Sequence, residues 1–171
     1  MMHLTTIMIA YLMTAVVLED TVTIPLDAAA FVTDVSPASV AGEALRHFRE
    51  RVESLGARMA PDMPGEVPAV TIELEEVDQV NAGWSDLQRD QGFAIDFDSQ
   101  AIPAKLMVRA ATHKGLAYGI SELEVRLRVP DGKAVLSFPE WHASGNANRI
   151  EECPAIETRG LVADGRKCRN Q

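Results

Sequence analysis

The chain has 171 residues, a net charge of −9 and an apolar fraction of 47%, and only 5% of its residues are aromatic. The high apolar fraction excludes a disordered chain, and the acidic balance argues against a nucleic-acid binder, which normally carries a basic face. The length suits one domain with its own core, and it is short of the roughly 250 residues of a complete (β/α)8-barrel enzyme.

The first element is an uncharged apolar run from Leu4 to Leu18 that ends at Glu19 and Asp20. Its length suits the apolar region of a secretory signal better than a membrane-spanning helix, which needs roughly 20 residues. No Lys or Arg precedes the run, and no clear small-residue cleavage site precedes Glu19, so an uncleaved anchor and an ordinary buried element stay open as alternatives. We predict that residues 1–19 are a signal peptide or apolar leader, with a secreted or periplasmic location and no stable membrane span.

Four stretches alternate apolar and polar residues, which predicts strands that place one face on a core and the other toward water. A sheet that is wet on one face is more typical of antiparallel or mixed pairing than of a doubly wound parallel sheet. The apolar positions of the four strands are Val22 and Ile24; Val70, Ile72 and Leu74; Phe93, Ile95 and Phe97; and Leu106, Val108 and Ala110.

Two stretches have helical periodicity. The first is predicted to begin with Ser36 as N-cap and Pro37 at the first helical position, and to end at Gly56. The second is predicted to begin near Thr112 and to end at the turn of residues 130–132. The apolar stripes are Val40, Ala44, Phe48, Val52 and Leu55 in the first helix, and Leu116, Ile120, Leu123 and Leu127 in the second.

The second helix also contains Gly115 and Gly119, each of which lowers helix propensity by about 1 kcal/mol relative to Ala. Either this cost is simply tolerated, or the helix backbone approaches the sheet closely. Residues 59–65 are interpreted as a surface loop, residues 81–91 as a polar connection and residues 144–148 as a linker. Together these elements predict an α+β fold with a small mixed or antiparallel sheet of about four to five strands and two helices packed on one face.

Local motifs identify no catalytic residue, metal site or cofactor. The four histidines are scattered without ligand spacing, and Cys153 and Cys168 lack the spacing of a zinc pair, although export would allow a disulfide between them. Two tryptophans offer little for sugar binding, and a core or edge role is expected for Trp84. The acidic residues of the predicted strands are interpreted as a solvated negative surface; they are Glu73, Glu75, Glu76, Asp96 and Asp98.

The part of the chain from Gly92 to Asp164 carries a family resemblance. A strand beginning GFAI at Gly92 is followed by Ala110-Ala111, by a helix of the form GLxYGxxxL at residues 115–123, and by PAIETRGLVAD at residues 154–164. This order resembles the N-terminal accessory domain, of zincin-like fold, in retaining β-N-acetylhexosaminidases of glycoside hydrolase family 20. Related domains precede the barrels of α-glucuronidases and family 84 enzymes.

The resemblance implies that residues 20–142 form the accessory domain, and that residues 143–171 are a linker and the first strand of a catalytic barrel that is otherwise missing. Arg159 matches an arginine that hydrogen-bonds hydroxyls of the terminal sugar, and Asp164 matches a supporting acidic position. Both would bind substrate only beside a barrel. The continuation after Asp164 departs from the family 20 pattern, which leaves open the exact sugar-cleaving family.

The catalytic Asp-Glu pair of the family lies further along the barrel, so the resemblance implies a chain that is truncated before its catalytic part and inactive alone. The implied partner is the catalytic barrel of the parent protein, and a glycan is a further candidate; nucleic acid is not expected. One alternative is a small exported binding protein that reuses the fold. Another is a complete small glycosidase, which predicts turnover of an aryl N-acetylglucosaminide.

Overall fold

The computed structural model describes residues 21–60, 68–142 and 148–153, and the side chains of residues 59, 60 and 142 are not described. The predicted leader, most of the predicted loop at residues 59–65 and everything after Cys153 lie outside this part of the chain. The elements in chain order are β1 (Thr21–Pro25), β2 (Ala29–Thr33), α1 (Val40–Ser54), β3 (Met59–Ala60), β4 (Val70–Glu76), α2 (Asp86–Gln91), β5 (Phe93–Asp98), β6 (Ala104–Ala110), α3 (His113–Arg126), β7 (Leu127–Arg128), β8 (Val135–His142) and β9 (Asn148–Glu152).

The strands form two sheets. The larger sheet has the order β3-β2-β4-β6-β5-β9, in which β2, β3, β4 and β6 run parallel while β5 is antiparallel to both of its neighbours. The smaller sheet is antiparallel, with the order β1-β8-β7. The predicted α+β class and mixed pairing are confirmed. The larger sheet has six strands rather than four to five, because β2, β3 and β9 are short and carry no clear alternation.

The helices α1 and α3 cover one face of the larger sheet, as predicted. The predicted strand positions Ile72, Ile95, Leu106 and Val108 are fully buried beneath them. The core continues into the smaller sheet through an aromatic stack, in which the Trp141 ring lies 3.8 Å from Phe138 and 6.1 Å from Phe97 between centroids. Because Phe97 belongs to β5 and the other two rings belong to β8, the stack joins the two sheets.

The first helix begins three residues later than predicted. Ser39, not Ser36, is the N-cap, and its hydroxyl accepts from the Gly42 N–H at 3.0 Å. The Ser36 carbonyl accepts from both the backbone N–H and the hydroxyl of Ser39, which closes a turn before the helix. Val40, predicted in the buried stripe, is 56% exposed, and Ala41 and Leu45 are buried instead. The predicted end at Gly56 is confirmed by its positive φ of 88°.

Three further segments differ from the sequence predictions. The polar connection at residues 81–91 contains α2, whose start carries a capping box between Ser85 and Gln88. The weakly patterned residues after Pro130 form β8, the central strand of the smaller sheet. Asn148–Glu152, placed by the sequence in the linker and tail, pairs with β5 as an edge strand of the larger sheet. α2 and β9 are short and polar, so capping and pairing hold them rather than their own periodicity. β8 buries Leu136, Phe138 and Trp141 without a regular alternation.

The two glycines of α3 mark a close approach between this helix and the larger sheet. A Cβ atom placed on Gly115 would lie 2.6 Å from the Gly92 carbonyl oxygen and 2.8 Å from the Ala110 Cβ. A Cβ atom on Gly119 would lie 2.4 Å from a methyl group of Val108. Because these distances are far below van der Waals contact, the helix can sit at this depth only with glycine at both positions. Of the two interpretations of these glycines, a tolerated cost or a close approach to the sheet, the structure therefore supports the close approach.

Arg126, at the end of α3, connects the helix to the smaller sheet. It is 8% exposed, its Nε donates to Glu122 at 2.8 Å, and its Nη1 contacts Glu140 of β8. Its guanidinium also lies over the Phe138 ring, 5.5 Å from the centroid. Burial opposes the charge, but the hydrogen bonds to Glu140 and Glu122 outweigh it, so the pKa of Arg126 lies above its ordinary value.

We expect Gly115→Ala to destabilise the domain by about 1–3 kcal/mol, because the overpacking against Gly92 and Ala110 exceeds the gain in helix propensity. Urea unfolding followed by circular dichroism measures the change. Ser121→Ala, on the exposed side of the same helix, is the matched control and should change stability by less than about 0.5 kcal/mol. Equal or higher stability of Gly115→Ala would contradict the close approach.

We expect Arg126→Met to cost about 2–3 kcal/mol, because it leaves the carboxylates of Glu122 and Glu140 close together without their shared cation. The exposed Lys133→Met removes the same charge away from this cluster and serves as control. The same unfolding measurement applies, and a similar small effect of both substitutions would show that the Arg126 ion pairs contribute little.

Candidate functional site

The face of the larger sheet opposite the helices is the first candidate surface. Cross-strand register places the charged residues of β4, β5, β6 and β9 on it in adjacent rows. Lys105 pairs with Glu73 at 2.8 Å across β6 and β4. Asp98 and Glu75 on the same face are exposed to solvent. The predicted solvated position holds for Glu75 and Asp98. Glu73 is ion-paired, and the Asp96 side chain is only 14% exposed. Glu76 is in phase with the buried Leu74 and contacts His113 of α3, so it does not lie on this face.

A chain of ionic contacts, which we call the charge ladder, runs across three strands of this face. Arg109 of β6 donates to Asp96 of β5 through Nε at 3.2 Å and through Nη2, and Arg149 of β9 reaches the other carboxylate oxygen of Asp96 at 3.3 Å. Arg149 also pairs with Glu151 at 2.6 Å, and Glu151 accepts from the Asn81 side chain at 2.8 Å. The Asp96 side chain is only 14% exposed. Asp96 is thus shared between two guanidinium groups.

The second candidate surface is a groove of about 500 Å³ between α1 and α3. Its apolar floor is formed by Ala44 and Ile120, and its rim carries groups of both charges. The other lining residues are His47, Glu50, Arg51, Ser121 and Glu124. Most of the lining side chains are polar or charged, whereas pockets that enclose a small ligand are lined mainly by apolar side chains.

The rim of this groove is organised by Arg46 on α1. Its guanidinium donates to Glu43 at 2.6 Å and pairs with Glu50 one turn further along the helix. His47 lies 3.1 Å from the Glu43 carboxylate. The hydrogen bond from Arg46 is the main reason that the pKa of Glu43 lies below its usual range, and the same contacts raise the pKa of Arg46. These i, i+3 and i, i+4 contacts are solvated, so their effect on stability is small.

The site residues named by the family resemblance, Arg159 and Asp164, lie outside the described residues and stay predictions. His47 and His113 each lie 3.1 Å from a glutamate carboxylate, that of Glu43 and that of Glu76. Among the described residues, no group of three or more His, Cys, Asp and Glu side chains is arranged to hold a metal ion. Cys153 is disulfide-bonded; the sequence has one other cysteine, Cys168, which lies outside the described part.

The tryptophans are buried rather than presented as sugar-binding platforms. Trp84 is 8% exposed and packs over Gly92, where a Cβ atom would lie 2.2 Å from the indole ring. Trp141 is 3% exposed inside the aromatic stack. The expected core or edge role of Trp84 is confirmed. No helix in the described part of the chain is long and apolar enough to cross a membrane.

Sequence reasoning missed the charge ladder, because it treated Asp96 as one of several solvated acids. The available signal was the presence of opposite charges at alternate positions of neighbouring strands, at Asp96, Lys105 and Arg109. Using that signal requires the strand order and register, since these decide which charges face each other. The contribution of Arg149 was hidden further because its strand was assigned to the tail.

We expect the pKa of Glu43, measured by NMR titration, to lie below the ordinary glutamate value and to return toward it in Arg46→Gln. A carboxylate with a lowered pKa contributes stability above its unfolded pKa, and this contribution is lost as the pH falls through the folded pKa. Arg49→Gln removes a neighbouring charge that has no contact with Glu43 and should leave the titration unchanged. An unshifted Glu43 in the unmodified protein would contradict the Arg46 contact.

No protein-family model and no curated protein matches the sequence. Solved structures do show similarity. A chitobiase from Flavobacterium johnsoniae has 14% identity and a TM-score of 0.48 over 84% of this chain and 21% of that chain. A family GH115 4-O-methyl-α-glucuronidase with specificity for decorated arabinogalactans has 17% identity and a TM-score of 0.48 over 81% of this chain and 19% of that chain.

A β-hexosaminidase from Streptomyces plicatus has 14% identity and a TM-score of 0.43, over 80% of this chain and 24% of that chain. The similarity extends over most of this chain in each case, and this chain spans between 19% and 24% of the length of the three structures.

Proposed function

We propose that this chain provides a noncatalytic accessory domain of a glycoside hydrolase of the β-N-acetylhexosaminidase kind, and that it acts by packing beside a catalytic barrel. Under this proposal sugar cleavage belongs to the barrel, and the role of the domain is to stabilise it. A carbohydrate is the substrate of the assembled enzyme. The proposed role is packing between two domains, and none of the residues described above is proposed to be catalytic.

The observation that carries the proposal is that the resemblance motifs within the described residues, which lie around β5, β6 and α3, meet in one packing unit. Gly92 is the C-cap of α2, Phe93 begins β5 and Ala110 ends β6. Gly115 and Gly119 lie in the first two turns of α3. In three dimensions the Gly115 backbone touches Gly92 and Ala110, and a Cβ on Gly119 would lie 3.4 Å from Phe93. These residues, which are separated along the sequence, therefore pack against one another. Their joint presence reflects one structural requirement, which supports a shared domain type rather than separate chance matches.

The carboxylates of the described part also fit a structural role. Asp96 is shared by two arginines, Glu73 is paired with Lys105, and Glu122 is paired with Arg126. A glycosidase carboxyl pair needs two acids about 5–10 Å apart in a sugar-sized cleft, one of them held protonated. Ion-paired acids on a sheet face and at a helix end are arranged instead to stabilise the fold.

We also propose that the protein is exported. The uncharged apolar run from Leu4 to Leu18 supports this location, and so does the disulfide at Cys153, since disulfides persist in oxidising compartments. Edman sequencing of protein secreted by the source cells tests the proposal. A mature N-terminus between residues 15 and 21 is expected, and intact protein found only in the cytoplasm would contradict it.

The accessory role is tested by activity and by reading the coding sequence that surrounds this chain. We expect the purified 171-residue chain to give no turnover of an aryl N-acetylglucosaminide above the blank. The surrounding coding sequence should encode a barrel with an adjacent Asp-Glu pair, and the joined protein should be active. Turnover by the short chain would instead favour a complete small glycosidase. Absence of any such barrel would favour a small exported binding protein.

In the joined protein, Arg159→Ala should lower kcat/KM by roughly 10–100-fold, because a guanidinium that binds sugar hydroxyls contributes charge-assisted hydrogen bonds. Arg169→Ala, in the same basic segment but outside the resemblance motif, is the matched control and should retain activity. Equal activity of both variants would show that Arg159 does not contact substrate. The proposal for the domain would stand, because it rests on the packing unit and not on Arg159.

A further inference from the structure

The edge strand β9 is attached to the larger sheet differently from the strands at the sheet centre. Central β4 buries three apolar side chains, Val70, Ile72 and Leu74. Of the five residues of β9, only Ile150 is buried, where it faces Ile95 of β5. Within the described residues β9 pairs with β5 alone. Apolar burial therefore contributes little to holding this strand, compared with the strands beneath the helices.

Ionic contacts attach β9 to the sheet where apolar burial contributes little. Both β9 residues on the open face, Arg149 and Glu151, belong to the charge ladder, which connects them to Asp96 and, through Glu151, to Asn81. Their side chains are 35% and 21% exposed, so the contacts are partly shielded from water. Partly shielded, networked pairs are stronger than isolated surface pairs, yet salt still weakens them.

Asp96 occupies the decisive position in this ladder. It is the carboxylate that separates Arg109 from Arg149, and it contacts both. Without its charge, the two guanidinium groups, on the strands at either side of β5, would face each other with no anion between them. The repulsion would act on the strand that is held least by the core, because Arg109 lies on the well-buried β6 while Arg149 lies on the edge.

We propose that β9 opens as a unit separate from the rest of the domain, and that the charge ladder controls how often it does so. Cys153, the last described residue, directly follows β9. The ladder consequently makes the pairing of β9 with β5 sensitive to ionic strength. The proposal is independent of the proposed function, since it holds whether or not a catalytic barrel follows.

Hydrogen exchange of the intact, oxidised chain tests the proposal. In Asp96→Asn the amides of β9 should exchange about 10-fold faster, while amides of β4 and α3 keep their rates, because local opening is affected and global unfolding is not. Glu75→Gln makes the same charge change on the same sheet face, next to Arg109, and should leave β9 exchange unchanged. Equal acceleration in both variants would overturn the proposal, because it would reflect surface charge in general.

A second measurement keeps the test decisive if Asp96→Asn weakens the whole domain. In Arg149→Gln, β9 exchange should be accelerated, and addition of Asp96→Asn should accelerate it by less than the separate effects combined, as expected for residues in one network. Raising salt to about 1 M, where the Debye length is about 3 Å, should accelerate β9 exchange in the unmodified chain but not in the double variant. Exchange of β9 at the global unfolding rate in every variant would overturn the proposal.

Discussion

The depth at which α3 lies on β5 and β6 is the constraint on which the rest of the fold depends. Gly115 and Gly119 bring the helix backbone against Gly92, Ala110 and Val108, at distances that no side chain tolerates. Once the helix is set at this depth, its buried stripe reaches the sheet, and Arg126 at its end reaches β8. The cost in helix propensity is therefore offset by packing along the whole length of α3.

The sequence predicts the parts of the fold that bury apolar faces. The alternation at Ile72, Ile95 and Leu106 and the helical stripe at Leu116 and Ile120 are all observed, because a strand or helix with one apolar face must place it on the core. The sequence alone does not decide whether Gly115 and Gly119 are a tolerated cost or mark a close approach, because that depends on which strand residues lie beneath the helix.

The parts that sequence could not predict depend on partners distant in the chain. β9 contains one buried apolar residue and four polar ones, so its strand conformation follows from pairing with β5 and not from its own pattern. The predicted start of α1 is three residues early, because Ser36 accepts from Ser39 in a turn and Ser39 then caps the helix by accepting from the Gly42 N–H. The proposed sugar-binding residues Arg159 and Asp164 rest on resemblance alone, and the charge ladder required the strand register.

The pairing of β1 with β8 has a consequence for how the domain is made. The first described strand finds its partner almost at the end of the domain, with Ile24 opposite Leu136. A chain that emerges from the ribosome in order holds β1 without a partner until nearly all later elements have been synthesised. Contacts of such long sequence separation slow folding and leave an apolar strand edge exposed meanwhile. The smaller sheet can therefore close only after β8 has been synthesised, and among the described elements only the edge strand β9 follows it.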